Sequence, residues 1–331
     1  MPFPYPTPLR QVAKDAAAAA DREETSSHKR RQRGNVSQIM VRMDMIRLDK
    51  STFRSDLDEI DLWLDERGFH KRDRMRIYRA NIAEMAERER TRHPGEVFVE
   101  IQNEGRLTEI LNSYVEGIEF VDALMSLREK QVVIPDSLLK KVLDGPPDSS
   151  REDHKSNQGR NAMFELLMGA MAAKQDLRPT FGQENPDVEF QFRGRRVLME
   201  CKRVFSEKKV LDKISEAIHQ LEKCTDPANG DIGLVAISLS RLAHQGNGYW
   251  DTPTVETGRA FLSQELHRMA DDLNKRLAKL CSSYTAGVVF YISSPFHVQN
   301  LGYTVASEGL VYPMNLAESD FLLSLAGTLR L

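Results

Sequence analysis

The chain has 331 residues, 40% hydrophobic and 29% charged, a composition that excludes a disordered or fibrous protein. A formal net charge of -3 also excludes a generic polycation, so any nucleic-acid binding has to come from a local basic surface. Cys201, Cys224 and Cys281 are widely separated and odd in number, which implies neither a zinc cluster nor a disulfide framework and fits a reducing interior.

The amino terminus, MPFPYPTPLRQVAKDAAAAA, carries prolines where a secretory leader needs a continuous apolar helix. No apolar run in the chain approaches the ~20 residues that span a bilayer, and the expectation is a cytoplasmic protein. Residues 1–35 read as a flexible basic arm, with Lys29, Arg30, Arg31 and Arg33 clustered in it.

Residues 36–143 read as a helical accessory module. Ile60, Leu62, Trp63 and Leu64, then Met75, Ile77, Tyr78, Ile82 and Met85, recur near helical spacing. Leu107, Ile110, Leu111, Tyr114, Ile118 and Val121 continue the rhythm, and Arg and Glu interleave as helix-surface pairs through RDRMRIYRANIAEMAERERTR. Trp63 and Tyr78 are candidate recognition aromatics, with core packing the better reading. The segment 144–159, DGPPDSSREDHKSNQG, combines prolines and small polar residues without an apolar anchor, and reads as a linker.

From residue 160 to 331 the pattern alternates. A nearly all-apolar helix over 160–175 precedes a short extended piece near 178–183 and the strands VEFQF and RRVLMECKRV. A charged amphipathic helix over 206–224, a strand over 232–240, a long helix over 255–281 and a strand over 286–294 follow. The order predicts an α/β domain with a mixed central sheet flanked by helices and preceded by the helical module.

Gly194-Arg195 reads as the loop of a tight hairpin, which pairs Asp187 with Lys202 and Glu189 with Glu200. Alternation along the strand sends Glu200 and Lys202 to one face and Val197, Met199 and Cys201 to the other. Two carboxylates gathered at one place repel unless a cation lies between them. Their hard oxygens suit Mg²⁺ or Mn²⁺, which polarises a phosphodiester and acidifies a bound water. A lysine beside them orients that water or stabilises charge on the phosphorus.

Pro186-Asp187, twelve residues, then Glu200-Cys201-Lys202 resembles the PD-(D/E)xK nuclease superfamily, and the helix–three-strand–helix–strand order over about 160–240 is similar to its restriction-endonuclease-like core. The resemblance implies a divalent-metal-dependent nuclease acting on DNA, with Asp187 and Glu200 as metal ligands and Lys202 as the group handling the water. Glu165, in the preceding helix, is the implied further acidic residue. Lys208, Lys209 and Lys213 in the following helix are implied phosphate contacts. Gln220 lies where RecB-like members carry a glutamine, although Cys224 stands where they carry tyrosine.

The resemblance further implies a setting in restriction, repair or antiviral defence and a homodimer for double-strand cleavage. The helical module is a candidate for recognising nucleic acid, binding a partner ATPase or mediating dimerisation; with no GxxxxGK[ST] the chain is not itself a P-loop ATPase. An RNA substrate, or a non-catalytic adaptor that keeps the fold, is the alternative. His219, His244 and His267 lack ligand spacing. Ser238 and Ser240 lack a His/Asp partner, and the loop HQGNGYWDTP over 244–253 reads as a surface connection.

Overall fold

The computed structural model describes residues 39–41, 50–144, 158–243, 250–280, 282–298 and 302–329. The expected basic arm, most of the expected linker, Cys281 and His244 lie outside the described residues.

Strand β1 is Ile39–Val41, followed by helices α1 (Lys50–Glu66), α2 (Asp73–Thr91), α3 (Pro94–Asn103), α4 (Leu107–Glu129) and α5 (Asp136–Leu143). Then come α6 (Gln158–Lys174), β2 (Thr180–Phe181), β3 (Val188–Phe192), β4 (Arg195–Arg203), α7 (Val210–Leu221) and β5 (Ile232–Ser238). The chain continues through the short α8 (Ser240–Ala243), β6 (Trp250–Thr252), α9 (Val255–Leu277), β7 (Gly287–Val298), β8 (Gly302–Pro313) and α10 (Ser319–Leu329). The architecture is α/β, built on a mixed sheet.

That sheet has 8 strands in the order β1-β8-β7-β5-β4-β3-β2, with β6 pairing alongside β7. The middle pairs β4–β5 and β5–β7 are parallel, whereas β2–β3–β4 and β7–β8–β1 are antiparallel. The pair β6–β7 is parallel as well, and each of the three parallel connections contains a helix, the usual crossover for such pairing. All seven positions of β5 are buried, which is why IGLVAIS is a continuous apolar run without alternation.

The two faces separate cleanly by sequence parity. Val197, Met199, Cys201, Leu234 and Ala236 join one hydrophobic cluster with α6 and with residues of α1–α5, Phe53 and Leu64 among them. Leu198, Val235, Ile237, Val288 and Phe290 face the other way, into a second cluster with α7 and α9. Period-two alternation in the strands thus produces two covered faces.

A buried ion network ties the helical layer together. Glu116 of α4 accepts hydrogen bonds from Arg74 Nη2 at 3.1 Å, from the Tyr78 hydroxyl and from Arg160 Nε of α6. Burial alone would raise the carboxyl's pKa, but Arg160 and Arg74 outweigh it and bring Glu116 down to about 2. Tyr78 is therefore a core residue, as the packing reading expected. Trp63 lies beneath the guanidinium groups of Arg67 and Arg128.

Three sequence expectations need correction. The stretch read as wholly helical from residue 36 contains β1, whose Ile39, Met40 and Val41 pair with Val311, Leu310 and Gly309. A three-residue strand is too short to show a period. The last predicted strand, 286–294, continues to Val298 and turns back as β8, so the carboxy-terminal end of the sheet is a long hairpin. The β3–β4 register also differs. Phe192 pairs with Arg195 and Val188 with Met199, which makes Arg193-Gly194 the two-residue turn. Both turn residues have positive φ, 50° and 76°, as a type I′ hairpin demands. Glu189 therefore lies opposite Leu198 rather than Glu200. The partners move by two positions, so each side chain keeps its face.

Candidate active site

Glu200 and Lys202 stand on β4, the third strand from one end of the ordered sheet, with β3 and β5 on either side. Their neighbours on that strand face are apolar, so both are buried: Glu200 is 0% and Lys202 9% exposed. Asp187 ends the turn between β2 and β3, immediately before Val188, and the observed register carries it toward Glu200. Cys201 N–H donates to Asp187 Oδ2 at 2.7 Å, which fixes that carboxylate between the two β4 side chains. Lys202 Nζ lies 3.1 Å from Glu200 Oε2 and 3.9 Å from Asp187 Oδ2. The three residues singled out in the sequence therefore meet.

Glu165 joins them electrostatically from α6. Burial pushes its carboxyl up to about 8, the charge of Asp187 adds to that, and Lys141 and Lys202 oppose it. Burial and then Asp187 likewise push Glu200 up to about 8, against the pull of Lys202. Burial disfavours the Lys202 ammonium, yet Asp187 and Glu200 outweigh it and hold its pKa above the ordinary lysine value. The Cys201 thiol, buried and surrounded by the same carboxyls, is raised well above its usual range. It is a packing residue rather than a nucleophile.

Burial and the charge of Asp187 thus hold the Glu165 and Glu200 carboxyls well above the ordinary range, so both bind protons more readily than exposed carboxyls do. Glu200 Oε1 is buried and accepts no hydrogen bond, and the carboxyl also contacts Asp187, which leaves the pair open to a shared divalent cation. Asp187 and Glu200 are the donors such a cation would use, and one or two carboxylates suffice for Mg²⁺ or Mn²⁺. Among the described residues, no three His, Cys, Asp or Glu side chains are already arranged as a metal cage.

The other candidates distribute differently. Lys208 and Lys209 lie exposed in a single 3-10 turn, Glu207–Lys209, so the helix expected from 206 begins at Val210. Lys209 pairs with Asp212 at 2.9 Å and Lys213 with Glu216 at 2.6 Å. Gln220 reaches the site's border, where its Nε2 donates to Asn185 Oδ1 at 2.9 Å. Ser238 and Ser240 bond to each other at 3.3 Å, and Ser240 Oγ accepts from Ser293 N–H. Exposed His219 pairs with Glu222, and His267 contacts the carbonyl of Ser263.

Two contributors were missed in the sequence. Lys141, on α5, acts on Glu165 from the helical half of the chain, and no local motif marks it. Asn185 stands next to the Pro-Asp dipeptide, and that adjacency was the available signal.

Comparisons with protein-family models, with curated proteins and with solved structures return no match. Among the described residues no helix is long and apolar enough to cross a membrane.

Proposed function

We propose that the chain is a divalent-metal-dependent nuclease that hydrolyses phosphodiester bonds in DNA, with a restriction-endonuclease-like core. The observation that carries this reading is the meeting of Asp187, Glu200 and Lys202, with the Glu200 carboxyl fully buried against the other two. The element order α6–β2–β3–β4–α7–β5 is the one the resembled superfamily uses, which supports the same reading.

Asp187 and Glu200 would hold Mg²⁺ or Mn²⁺, which when bound polarises a phosphate and makes a coordinated water more acidic. Lys202, whose ammonium form Asp187 and Glu200 favour, donates hydrogen bonds toward the attacking water and toward negative charge developing on the phosphate. Glu165, whose carboxyl feels Asp187 and Lys202, would support the metal or its waters from α6. Asp187, fixed by the Cys201 N–H, keeps one carboxylate oriented throughout. Lys208, Lys209, Lys213 and Gln220 are the proposed contacts to the nucleic-acid backbone. A homodimer, a partner ATPase, and a setting in restriction, antiviral defence or repair belong to the same proposal.

The test is incubation of the purified chain with circular and linear DNA, and with RNA, in Mg²⁺, Mn²⁺ or EDTA. The expected result is metal-dependent DNA cleavage that EDTA abolishes. Cleavage of RNA alone would move the substrate to RNA, and no cleavage of either would sink the enzyme reading in favour of an adaptor.

A further inference from the structure

Asp187 belongs to no strand; it is held in place by what surrounds the connection 182–187. Gly182 N–H donates to the Asp187 carbonyl at 3.2 Å, which closes the turn on itself. The turn is tight enough that a Cβ on Gly182 would lie 2.1 Å from the Pro186 carbonyl oxygen. Cys201 N–H then fixes the Asp187 carboxylate. The remaining hold comes from α7, where Gln220 Nε2 donates to Asn185 Oδ1 at 2.9 Å. This helix is itself anchored, because Val210, Ile214, Ala217, Ile218 and Leu221 bury one face in the cluster that also contains Leu198 and Val235. Gln220 lies next to Leu221, and its Oε1 is buried without a hydrogen-bond partner.

We propose that Gln220 is a positioning residue. Through Asn185 it holds the 182–187 turn so that the Asp187 carboxylate faces Glu200 and Lys202, and it thereby sets the site's affinity for a divalent cation. This deepens the metal-dependent reading above and rests on it. Groups that orient a ligand are nearly as influential as the ligand itself, because Mg²⁺ and Mn²⁺ tolerate little error in donor placement. A hydrogen bond valued only for stability would move the thermal midpoint and leave metal affinity alone.

The experiment measures Mn²⁺ binding by electron paramagnetic resonance, and the metal concentration for half-maximal DNA cleavage, in the full chain. The variants are Gln220→Ala, Asn185→Ala and the double substitution. Each single change is expected to weaken Mn²⁺ binding roughly 10-fold. The double change is expected to weaken it no further, because both singles remove one shared contact. Unchanged Mn²⁺ binding in both singles, or fully additive losses in the double, would overturn the proposal. If the unaltered chain binds Mn²⁺ but cuts no nucleic acid, the nuclease reading fails alone and the binding series still decides the role of Gln220. If it binds no Mn²⁺ at all, both fall.

Discussion

Asp187 Oδ2 accepts a hydrogen bond from the backbone N–H of Cys201, the residue between Glu200 and Lys202. The bond joins the end of one connection to the carboxy-terminal part of the neighbouring strand, and it explains how an acidic residue outside the sheet is held beside two inside it. The site is thus fixed by backbone as well as by side chains, and its dependence on each side chain can be separated.

Lys202→Ala is expected to reduce cleavage by roughly 10²–10⁴-fold, the range for loss of a positioned proton-handling group. Asp187→Ala is expected to abolish metal-dependent cleavage as well. Single-turnover rates at saturating metal, beside far-ultraviolet circular dichroism, make the check. Retained cleavage in both variants would place the chemistry elsewhere in the chain.

Metal binding should be pH-dependent and should release protons. Glu165 and Glu200 both titrate near about 8, so a cation arriving below that pH displaces protons from them. Calorimetric titration with Mn²⁺ in buffers of different ionisation heat, from pH 6 to 9, is expected to show tighter binding and fewer released protons as pH rises. Proton release that does not vary with pH would contradict the assignment.

Without metal, these glutamates make the chain more stable in mild acid. Each has a folded-state pKa of about 8 against an ordinary 4.5, so the folded state binds more protons than the unfolded one between those values. Their contribution is complete below 4.5 and is lost as pH rises through about 8. The thermal midpoint in EDTA is expected to fall from pH 5 to pH 8, as stability declines by up to about 1.4 kcal/mol per pH unit for each extra proton the folded state binds. Glu200→Gln should flatten that slope; an unchanged slope would remove Glu200 from the account.

Glu116 works in the opposite sense. Its pKa is lowered from 4.5 to about 2 by Arg160 and Arg74, so its contribution is present above 4.5 and disappears as pH falls toward 2. Glu116→Gln leaves two buried guanidinium groups without their counter-charge and is expected to cost about 3–5 kcal/mol. Urea unfolding at pH 7 and at pH 3 measures both the loss and its reduction in acid. Equal effects at the two pH values would refute the ionic explanation.

The faces of β4 were readable from the sequence because alternation depends only on parity. Parity survived the two-position change of register between β3 and β4. The turn itself was misplaced because Arg193 takes a left-handed conformation that its side chain gives no reason to expect. Glu165 was legible as one carboxylate in an apolar helix, whereas Lys141 was not, since no periodicity relates α5 to α6 across the intervening stretch. Strand β1 and the β7–β8 hairpin depend on pairing between distant segments, which local pattern does not encode.

Helix α6 answers to two masters. At its start Arg160 is spent neutralising Glu116 in the helical layer; little more than a turn later Glu165 feels Asp187. A fragment cut to begin just after Arg160 would strip Glu116 of a counter-charge, and one lacking α4 would strand Arg160 in an apolar setting. Grafting the strand–turn–strand of the site onto another scaffold therefore means carrying the helical layer with it.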